Sequence, residues 1–490
     1  MARKNSLPAL EWIIRTWQRK TKTPGLGLGL AHNGNPVVRA GFGFRDLKAR
    51  LPVSPGTVFG IASMTKSFTA MAILLLEERG HLHVTDRVKD HLPEFRTNDP
   101  RWTRQITLHH FLTHSSGLPP LPFIYYTSRR SLATDPPYDP RVARRVGIEP
   151  DHPPIDTYGG LMEALARTRY RPIGRPGERF SYCNEGFGLL GAVIENVSGR
   201  RYESFVTEEI LEPAGMTQSG YDPGQRWRSP ELSTLYQPDY QRKGNRVVPS
   251  QIWWEDPVMR GTGGLHSTVD DILRYLEILR TGGRIGRKRL LQESSLRRMM
   301  TPYLEVEPGV RYGYGLMMSE DADGHRLVFH GGGLKGVGSI LAVVPELGIT
   351  AVGLANYMFP GPVVKAGLNH MIGRPLATSW ETLPPIRNRG SHFRDLEGWY
   401  GSGEGWWVRV RCQAKTLEAH FHGIEIPAKK FRFRHEGDDQ FVMGRGLNAD
   451  RVWFLRTREG RPWAVRLGSR VVRRRTLAEV RRARTGRLAW

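Results

Sequence analysis

Ser63 and Lys66 stand three residues apart in FGIASMTKSFTAMAILLLEERG, where an apolar run begins. Residues i and i+3 share one helical face, so this hydroxyl and this amine can touch. A serine hydroxyl is a weak nucleophile and needs a base beside it. A lysine can serve once burial favours its neutral form. At a helix N-terminus the serine also gains a free backbone N–H and the positive end of the dipole, both suited to a developing oxyanion. Serine, lysine and apolar helix together describe the making of an acyl-enzyme. S-x-x-K arises by chance in many long chains, so the pair needs company.

Two further stretches supply it. In ERFSYCNEGFGLLGAVIENVSG, Tyr182 and Asn184 precede an apolar helix. Residues i and i+2 of an extended segment point the same way. A phenol can relay a proton to a leaving group, and an amide can grip a substrate carbonyl. The plain alternative is a turn tyrosine and an N-cap asparagine. In VFHGGGLKG, His330 ends a strand, and Gly332 and Gly333 are glycines that let a substrate backbone approach with N–H groups exposed. A simple glycine turn would look the same.

In this order, the three elements resemble the S-x-x-K, Y-x-N and K/H-x-G motifs of serine β-lactamase-like and penicillin-binding enzymes. FLTHSSGLP, GTGGLHST and YGYGLMM are similar to segments of the class C β-lactamase, D-aminopeptidase and esterase branch. The resemblance covers about Pro24 to Tyr357. It implies Ser63 as nucleophile, Lys66 as its base, Tyr182 as proton relay and Asn184 as the group orienting the acyl carbonyl. His330 takes the place of the lysine in K-T-G, and the N–H groups of Ser63 and Gly333 form the oxyanion hole. The implied fold is α+β: an antiparallel sheet flanked by helices beside an all-helical subdomain. No metal and no cofactor is called for. Cys183, between the tyrosine and the asparagine, departs from the family's usual serine and reads as structural.

The elements that must position these residues are partly visible. Asn33-Gly34 joins two apolar runs as a hairpin signal. TLHHFLTHSSGLP and TVDDILRYLEILRTGG read as helices, the second capped by Thr268. HRLVFHGGG, GSILAVVPE and ITAVGLANY read as consecutive strands. Residues 120–154 are proline-rich and aperiodic, which predicts a long functional loop. ETLPPIRNRGSH reads as a linker, followed by short alternating segments such as WWVRVRCQ and KKFRFRH, which read as a small barrel or sandwich. The expected domains are 1–380, the hydrolase; 381–390, a linker; and 391–490, a small all-β barrel of lipocalin type, as some members of the resembled family carry.

Composition bounds the function. The chain has 490 residues, 39% hydrophobic, which suits a large globular protein with more than one domain. No run reaches the roughly 18 apolar residues of a membrane span. MARKNSLPALEWIIRTWQRK reads as an amphipathic surface helix rather than an export signal, so the expected location is cytoplasmic. Net charge is +24, and residues 451–490 carry thirteen basic and two acidic side chains. Without a zinc finger, helix-turn-helix or RNA-binding signature, this reads as a solvated basic face with no specific nucleic-acid partner. His109, His110 and His114 lack the glutamate of a zinc hydrolase, and His420 and His422 lack a third ligand.

The expectation is a serine hydrolase acting on short peptides, including ones with D-residues, or on esters, and weakly on β-lactams. Its partner is a small substrate, with no membrane partner and with self-association through the barrel left open. The alternative is a catalytically silent protein that binds an anionic polymer through its cleft or its basic barrel.

Overall fold

The strand Gly25–His32 sets the geometry of the larger sheet. Its sequence, GLGLGLAH, alternates leucine with glycine. Successive side chains of a strand point to opposite faces. Leu26, Leu28 and Leu30 therefore share one face. There they meet Leu10, Ile14 and Trp17 of the helix Leu7–Thr21 and Val364 and Leu368 of the helix Gly361–Ile372. On the opposite face are Gly27 and Gly29, and the helix Val269–Arg280 lies close against them. A Cβ on Gly29 would fall 2.7 Å from Val269 Cγ1 and 3.0 Å from Leu273 Cδ1.

In this computed structural model, residues 7–133, 140–221, 229–239, 246–250, 253, 256–321, 323–376, 393–413, 416–423, 429–437, 439–443 and 450–483 are described. Among them is a nine-stranded antiparallel sheet. Its order is Leu304–Glu307, Val310–Tyr312, Met317–Glu320, Arg326–Leu334, Val337–Val344, Ile349–Ala355, Gly25–His32, Asn35–Asp46 and Leu51–Pro52. The expected hairpin forms at Asn33 and Gly34, both at positive φ. The strands Gly25–His32 and Ile349–Ala355, far apart in sequence, pair near the middle of the sheet, with Leu28 opposite Gly353. Thr268 caps its helix by accepting from the Asp271 N–H at 3.1 Å.

The chain forms two units, Met1–Asp86 with Phe187–Thr382, and Arg87–Gly186 with Leu383–Trp490. The first holds the large sheet. The second begins with short helices, among them Leu108–Leu112, Phe123–Thr127 and Tyr158–Arg167. The aperiodic stretch 120–154 is thus not a bare loop. Proline explains why periodicity misled: a helix too short to show a repeat can still start on one, as Pro140–Arg145 does.

The C-terminal strands close into an eight-stranded antiparallel barrel running from Gly398–Ser402 to Arg470–Arg475, which pair with each other. Tyr400, Val408, Phe421, Phe433, Phe454 and Val465 contribute to its apolar core. The expected linker, 381–390, lies outside the described residues. The barrel packs on the 87–186 segment: Ile173 clusters with Ala464 and Val471, and Trp407 Nε1 donates to Val146 O at 2.8 Å. The fold class is therefore the expected one, α+β with a large helix-flanked antiparallel sheet followed by a barrel.

Gly29→Val tests the close helix–sheet contact. Overpacking should cost about 1–3 kcal/mol and lower the urea midpoint. A midpoint equal to the parent's would show that the helix Val269–Arg280 is free to move outward.

Candidate active site

Ser63 sits in a tight 3-10 turn, Ala62–Met64, that leads into the helix Thr65–Glu78. The turn is strained, because Ala62 holds φ at +46°. Its surroundings hold it there. Ile61 N donates to Leu265 O at 3.0 Å, Ser339 Oγ donates to Ile61 O at 2.6 Å, and Thr65 Oγ1 donates to Ala62 O at 2.7 Å. An outlier conformation persists only when neighbours over-determine it in this way.

Lys66 follows in the first helical turn and is 0% exposed. Its Nζ lies 3.2 Å from Ser63 Oγ and donates to Thr262 O at 2.8 Å. The Phe187 ring centroid is 5.6 Å away. The helix is buried along most of its length, with Phe68, Met71, Ile73 and Leu74 among its buried residues, so the amine sits out of water.

The strand Arg326–Leu334 crosses this turn. A Cβ on Gly332 would lie 2.2 Å from Ile61 O and 3.1 Å from Ser63 N, so only glycine permits the approach. A Cβ on Gly333 would meet nothing within 4 Å, which marks open space beyond it. His330 is buried, with Nε2 3.0 Å from Tyr312 Oη and Nδ1 2.7 Å from Gly331 O. A carbonyl only accepts, so Nδ1 carries a hydrogen; in the neutral ring Tyr312 then donates to Nε2.

Tyr182 and Asn184 belong to the other unit. Tyr182 is 3% exposed, and its ring stacks on His114 with centroids 4.0 Å apart. His114 Nδ1 accepts from the Cys183 N–H at 3.0 Å. Asn184 opens the helix Asn184–Ser198 and donates from Nδ2 to Glu404 Oε1 at 3.0 Å. The Cys183 thiol is buried and donates to Glu185 Oε2 at 3.2 Å. Burial and the Glu185 carboxylate push the thiol's pKa up, so it is inert as a nucleophile.

Ser63 and Lys66 thus come together as their spacing predicts, and the strand Arg326–Leu334 brings Gly332 against their turn, with Gly333 next along the strand. Sequence reasoning missed Glu404 and Arg470, which the barrel brings to Asn184 and Tyr182. No spacing signal links positions more than two hundred residues apart. Sequence reasoning also missed Glu185, which is buried in the first turn of the helix Asn184–Ser198. His109 and His110 are held low by burial, His110 at about 4. Asp321, Asp323 and His325 have metal-ligand spacing among the described residues, but Arg374 bonds both carboxylates and meets their charge.

The sheet with its flanking helices and the serine–lysine turn define a serine β-lactamase-like protein. The Beta-lactamase family profile matches residues 11–371, and the chain belongs to that family of serine hydrolases. It is 27% identical over 357 residues to Protein flp of Staphylococcus aureus (strain COL), covering 72% of this chain and 63% of that protein's length. It is 24% identical to penicillin-binding protein 4* of Bacillus subtilis (strain 168), over 76% of this chain and 78% of the relative. Among solved structures, the octameric penicillin-binding protein homologue from Pyrococcus abyssi superposes with a TM-score of 0.64 at 27% identity. That match covers 92% of this chain and 96% of the homologue, barrel included. Among the described residues no helix is long and apolar enough to cross a membrane.

Glu185 yields a pH prediction. Burial raises its pKa to about 7, far above the ordinary carboxyl range. The folded state therefore holds this proton more tightly than the unfolded state. Its contribution is full below about pH 4.5 and is lost as pH rises toward 7. Glu185→Gln keeps the acceptor but not the charge. It should be more stable than the parent at pH 8, by roughly 1–3 kcal/mol, and equal to it near pH 4. Parallel melting curves for the two proteins at every pH would disprove the assignment.

Proposed function

We propose that this protein is a serine hydrolase acting through a covalent acyl-enzyme on short peptides, including ones with D-residues, or on esters. The observation that carries the reading is Lys66 Nζ at 3.2 Å from Ser63 Oγ, with the lysine fully buried. A buried amine touching a hydroxyl is the arrangement a general base requires. In this reading Lys66 takes the Ser63 proton as Oγ attacks the carbonyl carbon, and Tyr182 passes a proton to the departing amine or alcohol. Water then cleaves the acyl–Oγ bond and restores the hydroxyl. The N–H groups of Ser63 and Gly333 receive the oxyanion. Support for the oxyanion role is the open space beside Gly333 and the close approach of Gly332 to Ser63 N. The chemistry calls for no metal or cofactor.

His330 favours substrates other than β-lactams. A lysine at this position would offer a permanent charge to a substrate carboxylate. A neutral imidazole offers at most one uncharged hydrogen bond, and charge-assisted bonds are roughly twice as strong. Here the ring already bonds Tyr312 and Gly331. The kcat/KM for nitrocefin should fall below that for a p-nitrophenyl ester from pH 6 to 9. Efficient nitrocefin turnover at pH 8 would remove this preference.

A fluorophosphonate probe followed by peptide mapping tests the nucleophile. Ser63 should carry the adduct. Ser63→Ala should lose labelling and turnover by roughly a thousandfold or more, and Lys66→Ala nearly as much, because members of one catalytic unit are not additive. Near-parental hydrolysis by either variant would remove this mechanism.

A further inference from the structure

The barrel turn that carries Glu404 is shaped for close contact. Glu404 lies between Gly403 and Gly405 in the connection from Gly398–Ser402 to Trp406–Gln413. A Cβ on Gly403 would fall 2.4 Å from Pro120 O, and one on Gly405, at φ +73°, would fall 2.7 Å from the Tyr125 ring. Gly403 N donates to Pro120 O at 3.0 Å, and Tyr125 Oη donates to Glu404 O at 3.3 Å. The turn is thus seated against the 120–125 segment, and Glu404 is aimed inward with its side chain 12% exposed.

A second barrel turn arrives beside it. Ser469 O accepts from the Tyr182 N–H at 3.0 Å. Arg470 follows, with its guanidinium carbon 4.3 Å above the Tyr182 ring centroid. His114 already stacks on that ring, which leaves the other face to the guanidinium. Arg470 Nε donates to Glu404 Oε2 at 2.8 Å and Nη2 to Oε1 at 3.2 Å. The same Oε1 accepts from Asn184 Nδ2. One ion pair therefore touches both the tyrosine and the asparagine of Y-x-N.

The geometry points to Arg470 and Glu404 as a positioning pair for the reaction, in which Arg470 and His114 clamp the Tyr182 ring while Glu404 fixes the Asn184 amide. This rests on the serine-hydrolase reading above. Glu404 accepts only, so it decides which end of the Asn184 amide faces it and hence which way the amide points. A planar guanidinium over a phenol both blocks ring rotation and favours the anionic form that a proton relay passes through. The charged and titratable groups around Tyr182 within this unit are His114, Cys183, Glu185, Glu404 and Arg470. The barrel is then part of the catalytic motif's support rather than an appendage that only admits or excludes substrates.

The test uses the full-length chain and p-nitrophenyl acetate, which has no carboxylate for an arginine to bind. The parent is first labelled at Ser63 with fluorophosphonate; failure there sinks the hydrolase reading itself. Arg470→Gln should lower kcat about 10- to 100-fold with KM changed less than about threefold, and should move the basic limb of the kcat–pH profile to higher pH. Arg470→Lys keeps the charge but loses the flat, two-pronged contact. It should restore the limb while recovering only part of kcat. Glu404→Ala should lower kcat without moving the limb as far, and it decides the matter if Arg470→Gln does not fold. Equal losses in the Gln and Lys variants with an unmoved profile would mean a merely structural role and overturn the proposal. So would parental ester kinetics with a raised KM only for substrates bearing a carboxylate.

Discussion

The burial of the Lys66 amine is the constraint on which the first unit is built. Taking an ammonium out of water costs several kcal/mol even after relaxation. The Thr262 carbonyl, the Ser63 hydroxyl and the face of Phe187 are among the groups that meet it. Seating those partners requires close backbone. Thr69 Oγ1 donates to Gly261 O at 2.7 Å, which anchors the short helix carrying Thr262. A Cβ on Gly315, at φ +68°, would lie 2.6 Å from Lys66 O. These glycines are set by what must surround one lysine.

The strand Arg326–Leu334, between Met317–Glu320 and Val337–Val344, then completes the turn. In Arg326–Leu334 the side chains of His330 and Gly332 share a face, because the repeat of a strand is two. That face places the imidazole against Tyr312 and the bare glycine against Ser63 N. A one-residue slip would turn both away. The register is held by seven paired positions with Val337–Val344, from Val328 opposite Val343 to Leu334 opposite Val337. The approach of Gly332 to Ser63 N thus depends on that register.

How much of this the sequence disclosed follows the range of the interactions. The serine–lysine contact is local, i to i+3, and was readable from spacing; so were the Asn33-Gly34 hairpin and the Thr268 cap. The family likeness carried the sheet and the barrel. Prolines hid the helices of residues 120–154, because each is too short to display a period. The basic C-terminal stretch shows a different limit. Composition counts charges but not their use. Arg456 bonds Asp439 and Asp395, Arg473 donates to Pro172 O, and Arg475 is buried enough to hold its pKa down near 10. An excess of arginine that read as a solvated face is partly internal architecture, joining strands of the barrel to each other and to the 87–186 segment. Glu404 and Arg470 were invisible for the same reason: only the folded barrel sets them beside Y-x-N.

Charge balance explains why that junction tolerates three ionisable groups. Glu185, Glu404 and Arg470 interact electrostatically, and two acids face one cation. Glu404 takes the guanidinium on both oxygens and so uses most of its charge. Glu185 is left with a thiol donor and its own backbone, in a site where burial penalises a carboxylate and Glu404 repels a second one. The neutral acid is the cheaper state, which is why its pKa rises to about 7. With that proton in place the junction holds one ion pair and no net charge. Ionising Glu185 would add an unpaired negative charge close to the guanidinium over Tyr182 and pull Arg470 between two carboxylates.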